Sequence, residues 1–302
     1  MTKNFSIIGI LSLIFAMFIW ASSFIALKAA MEDLGPFTVI FLRMIIASLC
    51  FVYFIKSFLK YDFSKKDVKF ILLLALFEPC LYFIFESKAL QLTSASQAGM
   101  ITSLMPIITA MAAGYFLKEI ITKQLIFGSL IAMCGAIWLS LQGTTSISSP
   151  NPLLGNFLEL LAMVCGAGYT ITARYLSDKY SALFITAIQA FIGAIFFTPL
   201  FLYEYFTIPL NITMNSFLWV LYLGVVVTLA GYGLYNYALT KITASKAAVF
   251  VYLIPVFTLI LAYFVLNEKL SVLEFIACFV ILFGVFLSEV SSSWFKKRRW
   301  FI

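Results

Sequence analysis

The chain has 302 residues, 63% of them hydrophobic and only 11% charged, with a net charge of +7 and no histidine. So little polar surface cannot cover a water-soluble core of any shape, which makes lipid the solvent. The missing histidine removes the usual catalytic base, the commonest metal ligand and the usual near-neutral proton carrier.

Apolar runs of about twenty residues, long enough at about 1.5 Å per residue to cross a hydrocarbon layer of about 30 Å, recur from end to end. In chain order they cover 7–31, 36–58, 68–91, 95–117, 123–142, 153–177, 181–203, 215–239, 243–266 and 271–291. They are continuously apolar and do not alternate at period two, which excludes a membrane β-barrel. Ala29 and Ala30 after the first run imitate a leader cleavage site, but the run is too long for a signal core and only Lys3 precedes it, so it is expected to remain as the first span. The five cysteines, Cys50, Cys80, Cys134, Cys165 and Cys278, fall inside apolar runs without metal-ligand or redox-pair spacing, and read as packing residues.

Charge placement sets an orientation. Sixteen of the twenty Lys and Arg share one side if the N-terminus is cytoplasmic: Lys3, the group Lys56 to Lys69, Lys118 and Lys123, Arg174 and Lys179, Lys241 and Lys246, and Lys296 to Arg299. That positive-inside pattern puts both termini in the cytoplasm of a multi-pass protein of the cell inner (plasma) membrane. It accounts for the basic balance without nucleic acid. The terminal basic cluster with Trp294 and Trp300 reads as an interfacial anchor beside lipid headgroups.

The sequence matches itself at an offset of 149 without a gap. Residues 89–119 align with 238–268 at about a third identity, pairing Ala95 with Ala244, Ser96 with Ser245, Pro106 with Pro255, Thr109 with Thr258 and Glu119 with Glu268; Gly135 with Gly284 extends the register. Five spans per half is an odd number, so the second half enters the membrane inverted. The lysine bias reverses accordingly: Leu92 and Gln97 become Lys241 and Lys246, and the lysine-rich loop after the second span corresponds to 204–216, which has Glu204 and no Lys or Arg. The expected architecture is an all-α polytopic membrane protein of about ten transmembrane helices in two inverted five-helix repeats, 1–145 and 150–291, followed by a basic cytoplasmic tail at 292–302.

Here the chain resembles the drug/metabolite transporter superfamily, specifically its EamA-type members. The resemblance is carried by Leu104-Met105-Pro106-Ile107-Ile108-Thr109 and Leu253-Ile254-Pro255-Val256-Phe257-Thr258, each followed by Glu119 or Glu268 and a glycine in the next span. Trp20-Ala21-Ser22-Ser23 with Lys28 and Arg43 is similar to the family's opening. The resemblance implies a carrier working by alternating access, in bacteria most often an exporter of amino acids or related metabolites. The second half departs from the opening pattern, with Gly166-Ala167-Gly168-Tyr169 where Trp20 begins and Gln189 near where a second arginine is expected.

Pro106 and Pro255 fall near the middle of the fourth and ninth spans, where each removes a helix hydrogen bond. Paired breaks in inverted halves point to a central site and gating segments; a packing kink is the alternative. Glu78, Glu86 and Lys88 in the third span are the unusual residues, because a carboxylate in lipid is expensive and normally faces the bundle interior with a partner. Helical spacing puts Glu78, Tyr82 and Glu86 on one face. The positions aligned with Glu78, Glu86 and Lys88 in the second half are Val227, Tyr235 and Tyr237, so the acids lie outside the duplicated scaffold. They suit a proton-binding carboxylate or the counter-charge of a substrate amine; alternatively Glu86 pairs with Lys88, Lys28 or Arg43 in a fixed network. Lys28 and the deeper Arg43 are candidates for a substrate carboxylate. Trp20, Tyr82, Phe83, Tyr169, Tyr232, Tyr235, Tyr252 and Asn236 are candidate cavity residues, and Glu159 and Glu274 are expected at interfaces.

These readings make a secondary active transporter of amine or zwitterionic metabolites, exporting and proton-coupled, with an uncoupled facilitator or exchanger of the same fold as the alternative. A polytopic membrane enzyme is the distant one, since no clustered Asp, His or metal motif appears. No catalytic residue, metal or cofactor is expected. The partners are a small-molecule substrate, the lipid bilayer and protons, with no nucleic acid, in a monomer or homodimer.

Overall fold

The computed structural model describes residues 7–117, 123–142, 146, 149–242 and 244–289. Glu119, Lys3, Lys118 and the basic tail with Trp294 and Trp300 lie outside them. Ten apolar helical segments run through the described residues. They are α1 (Ile7–Ala30), α2 (Pro36–Val52), α3 (Lys65–Leu92), α4 (Ala95–Phe116), α5 (Lys123–Gln142), α6 (Pro152–Leu176), α7 (Ala182–Thr207), α8 (Met214–Leu239), α9 (Ala247–Val265) and α10 (Val272–Glu289). Seven are long and apolar enough to cross a membrane, and α2, α5 and α10 contain shorter apolar stretches. The face at which α1 begins is called proximal below, and the face at which it ends distal.

The helix starts follow from short polar side chains that meet otherwise unpaired backbone N–H groups. Ser64 and Asp67 form a capping box at α3, and Thr213 and Ser216 form one at α8. The two boxes are separated by the same 149 residues that relate the repeats. Ser94, Asn151 and Ser181 accept from Gln97, Leu154 and Phe184 at the starts of α4, α6 and α7. The expected second span is shorter than its apolar run, because the helix ends at Val52 and a separate turn, Ile55–Phe58, follows.

The halves are tied to each other at both faces. Proximally, Lys179 donates to Asp67 at 2.5 Å. Distally, Thr213 donates to Asp33. Glu204 at the end of α7 accepts from Phe37 N, Thr38 N and Thr38 Oγ1, so a carboxylate of one half caps the positive end of α2 in the other. Away from the centre, α5 and α10 pack on each other through the repeat-related glycines. A Cβ on Gly135 would lie 2.8 Å from the Ile281 nitrogen, and one on Gly284 would collide with the Ala132 backbone. The buried core runs along α1, α2, α3, α4, α6, α7 and α8, with small residues such as Ala16, Ala21, Ala47, Ala98 and Ala190 letting the backbones approach.

Candidate functional site

Both halves widen their third helix at the same register. In α3 the segment Leu76–Leu81 contains Pro79, which has no N–H to continue the ladder, and Glu78 leaves helical geometry at φ −149°, ψ 118°. A carbonyl freed in lipid must be met by protein. Gln189 of α7 does this, its Nε2 donating to the Glu78 carbonyl at 3.0 Å. In α8 the matching segment Leu223–Gly231 also forms a wide turn. There the Thr228 hydroxyl donates to the Leu223 carbonyl at 2.9 Å and accepts from Arg43 Nε at 2.7 Å. Glu78 sits in the break itself, so it shares a cavity with Tyr82 and Glu86 from a widened turn rather than from a regular helical stripe.

The breaks of α4 and α9 adjoin this level. Pro106 is the second residue of the restart Met105–Leu117, after a tight turn at Thr102–Leu104. Met105 N–H takes the Thr102 carbonyl that Pro106 cannot reach, and the Thr102, Ser103 and Thr109 hydroxyls meet further carbonyls at 2.7–2.8 Å. In α9 the tight turn is Phe250–Tyr252, and Leu253 N–H reaches back to Phe250 and Val251.

A central cavity lies between these irregular segments. It is lined by Trp20, Ser23 and Phe24 of α1, Arg43 of α2, Glu78, Tyr82, Phe83 and Glu86 of α3, Thr102 and Met105 of α4, Met163 and Gly166 of α6, Tyr232 of α8, and Val251 and Ile254 of α9. The free space admits about one water molecule, so a metabolite enters only if helices move apart. Arg43 is 1% exposed, and its guanidinium lies 4.4 Å from the Phe83 ring centroid and 5.9 Å from that of Tyr232. Glu86 accepts from the Tyr82 hydroxyl at 3.0 Å, and Glu78 accepts from the Tyr232 hydroxyl. Arg43 attracts both carboxylates, yet among the described residues it forms no ion pair within 4.0 Å.

Of the residues expected at a site, the structure gathers Trp20, Arg43, Glu78, Tyr82 and Glu86 around one cavity. Lys28 is elsewhere, 3.8 Å from Glu268 and donating to the Thr93 carbonyl at 2.7 Å, at the distal face. The alternative in which Glu86 pairs with Lys88, Lys28 or Arg43 gives no ion pair within 4.0 Å among the described residues, and Lys88 donates to Gln91 and lies over Phe37. Asn236 and Tyr235 stand behind the lining. Asn236 accepts from Tyr169 at 2.8 Å and donates to Thr186 at 2.9 Å and Gln189 at 3.4 Å, while Tyr235 packs on Trp20 and bonds Thr170. Tyr252, Pro106 and Pro255 are outside the lining, although Met105 and Ile254 beside the two prolines belong to it. Glu274 does lie at the distal end, accepting from Gln97 at 2.7 Å. Glu159 corrects the interfacial expectation, being 0% exposed. Pro79 and Thr228 join the site unexpectedly: the proline's place inside a span was a visible signal, whereas the role of Thr228 depends on the wide turn.

A family model for EamA-like transporters matches the chain twice, over residues 7–141 and 153–290. The chain belongs to the EamA-like transporter family. It is 30% identical over 292 residues to the uncharacterized transporter YetK of Bacillus subtilis, covering 95% of this chain and 87% of that one. An uncharacterized transporter of Archaeoglobus fulgidus is 28% identical, with 92% and 96% covered. A probable terminal-alkyne amino-acid exporter of Streptantibioticus cattleyicolor is 22% identical, with 85% of each chain covered. A solved crystal structure superposes with a TM-score of 0.65 at 17% identity over 93% of this chain and 98% of its own, a likeness of fold. This EamA-like chain is thus an all-α, multi-pass membrane protein of the transporter class.

Proposed function

We propose that this chain is a secondary active carrier that exports amine-bearing or zwitterionic metabolites, amino acids among them, across the plasma membrane by alternating access, with protons as the coupling ion. The observation that carries the reading is the pairing of one arginine with two carboxylates around one cavity, each held by a neutral hydroxyl. Thr228 holds Arg43, Tyr232 holds Glu78 and Tyr82 holds Glu86, which leaves the charges available to a ligand. A substrate carboxylate suits the planar Arg43 fork, and an ammonium suits Glu78 or Glu86. The exporter relative, whose name specifies an amino acid, supports the same substrate class.

The halves 1–145 and 150–291 are the rocking units, with the interrupted helices α4 and α9 as the gating segments. The lysine distribution supports a cytoplasmic proximal face. The test is transport of labelled amino acids by the purified chain in proteoliposomes, with and without a pH gradient. Uptake driven by the gradient and lost in Glu78→Gln is the expected result. Transport by Glu78→Gln at the wild-type rate and pH dependence removes the proton-coupling role, and undiminished affinity for a carboxylate-bearing substrate in Arg43→Ala removes the zwitterion site.

A further inference from the structure

Glu159 has no role in the cavity just described, yet it is the most conspicuous unpaired group among the described residues. It is 0% exposed, and neither carboxylate oxygen has a hydrogen-bond partner among them. In lipid such a group needs a counter-charge, a donor or a proton.

Its position follows from packing register. On α6 it is four residues after Gly155, four before Met163 and seven before Gly166, so all four occupy one helical stripe. That stripe faces α3 at both ends. A Cβ on Gly166 would lie 3.5 Å from the Tyr82 ring, and one on Gly155 would lie 2.7 Å from Thr93 and 3.0 Å from the Ala89 carbonyl. The two helices run antiparallel, so Glu159 falls level with Glu86 to within about one helical turn, about 5.4 Å. The two carboxylates repel each other, and Glu159 also acts on Tyr82.

The described surroundings supply no second cation. From α3 the ionisable groups are Tyr82, Glu86, deeper Glu78, and Lys88, which is engaged with Gln91 and the Phe37 ring; from α2 Arg43 attracts Glu86; from α8 come Tyr232 and Tyr235. The α4 residues 95–117 include Tyr115 as their one ionisable side chain, and it is exposed. Lys28 is engaged with Glu268 and Thr93. Of the three buried carboxylates, Arg43 attracts Glu78 and Glu86, and Glu159 is the one without a donor among the described residues.

We infer that Glu86 and Glu159 form a second proton site, in which the pair holds one proton between two carboxyl groups. Asn156, one turn distal of Glu159, donates to Gln97 at 2.7 Å and accepts from Thr93 at 2.8 Å, which seals the site from the distal face. When that seal parts, water reaches the pair, the proton passes to water and two carboxylates remain; closing again requires one proton to return. The acidic pair thus links distal opening to proton release.

The test uses the full chain in lipid nanodiscs with protons as the only ligand, followed by infrared absorption of the protonated carboxyl group as pH is raised. Wild type is expected to retain that band at neutral pH. Glu159→Gln should remove about one carboxyl equivalent, because Glu86 is left beside Arg43 and can ionise. Glu86→Gln should keep the band on the donorless Glu159 but change the pH at which it is lost, because the two groups titrate as a pair. Retention of the full band in Glu159→Gln overturns the site, and so does an unchanged pH dependence of the band in Glu86→Gln. If a variant fails to fold, wild type still decides, since absence of a protonated carboxyl at neutral pH overturns the proposal. Suppression of the band by sodium also overturns it, in favour of a metal cation. No substrate is involved, so failure here leaves the carrier reading standing, and failure of that reading leaves this site standing.

Discussion

The Ser96 hydroxyl donates to the Glu268 carboxylate at 2.7 Å, joining the first turn of α4 to the connection between α9 and α10. Glu268 also accepts from Ala95 N at 3.0 Å and Ser96 N at 2.9 Å, and Lys28 approaches it to 3.8 Å. Three residues that are identical between the repeats, Ala95, Ser96 and Glu268, thus meet in one distal clamp. Glu268→Ala removes a charge-assisted cap across the two halves, where hydrogen bonds to charged groups are worth about 1.5–3 kcal/mol. The expected outcome is a lower thermal unfolding midpoint together with faster labelling of a cysteine placed at Ala98. Unchanged labelling would mean that the clamp does not hold the distal face shut.

Arg43 is positioned by shape as well as charge, with Nε on Thr228 and the guanidinium plane over Phe83. Lysine keeps the charge but has no planar fork to satisfy both contacts. Arg43→Lys is expected to fold and to lose substrate affinity by tenfold or more, about 1.4 kcal/mol. Arg43→Ala removes the cation that attracts both Glu78 and Glu86 and is expected to destabilise the fold as well as the site. Thermal unfolding and substrate-dependent stabilisation, measured on both variants, separate the two effects. Equal affinity in wild type and Arg43→Lys would exclude planar recognition.

At the proximal face Lys179 lies outside the spans, in the connection between α6 and α7. Its hydrogen bond to Asp67 raises the ammonium pKa above its ordinary value. A cation with a higher pKa in the folded state adds stability that is fully present below the unfolded value and lost as pH rises through the folded one. The tie therefore holds throughout the neutral range and releases only in alkali. Amine acylation of Lys179, followed by mass spectrometry against pH, should be slower in wild type than in Asp67→Asn. Identical rates would show that the contact does not persist in the membrane.

Duplication made much of the fold legible, because residues with special backbone or polar demands survived at a fixed offset while the apolar background drifted. Glu268 and the paired glycines are such residues with definite contacts in the structure, and Pro106 and Pro255 stand at the restarts of α4 and α9. The site was less legible because its geometry depends on two wide turns. Pro79 announces the first, but α8 achieves the second without a proline, so the link from Thr228 to Arg43 has no local signal. Lys28 could not be assigned to Glu268 from spacing, since the two are far apart in the chain. Glu159 was legible in part. It lies seven residues inside α6 from Pro152, about 10 Å along the axis, too deep for an interfacial side chain.

Gln189 gives the sharpest test of the break in α3. Its amide spans two helices, donating to the Glu78 carbonyl at 3.0 Å and accepting from Asn236 at 3.4 Å. Gln189→Leu keeps the side chain's bulk but leaves a buried carbonyl unmet, a penalty of about 1–3 kcal/mol. Because the carbonyl belongs to Glu78, the loss should appear at the site as well as in stability: a lower unfolding midpoint and a changed pH dependence of transport. Gln189→Glu in its protonated form restores a donor of similar reach, so its transport should recover at low pH and fall as the pH rises. Recovery at low pH in Gln189→Leu as well would show that the carbonyl finds another donor and that Gln189 is not what holds Glu78 in place.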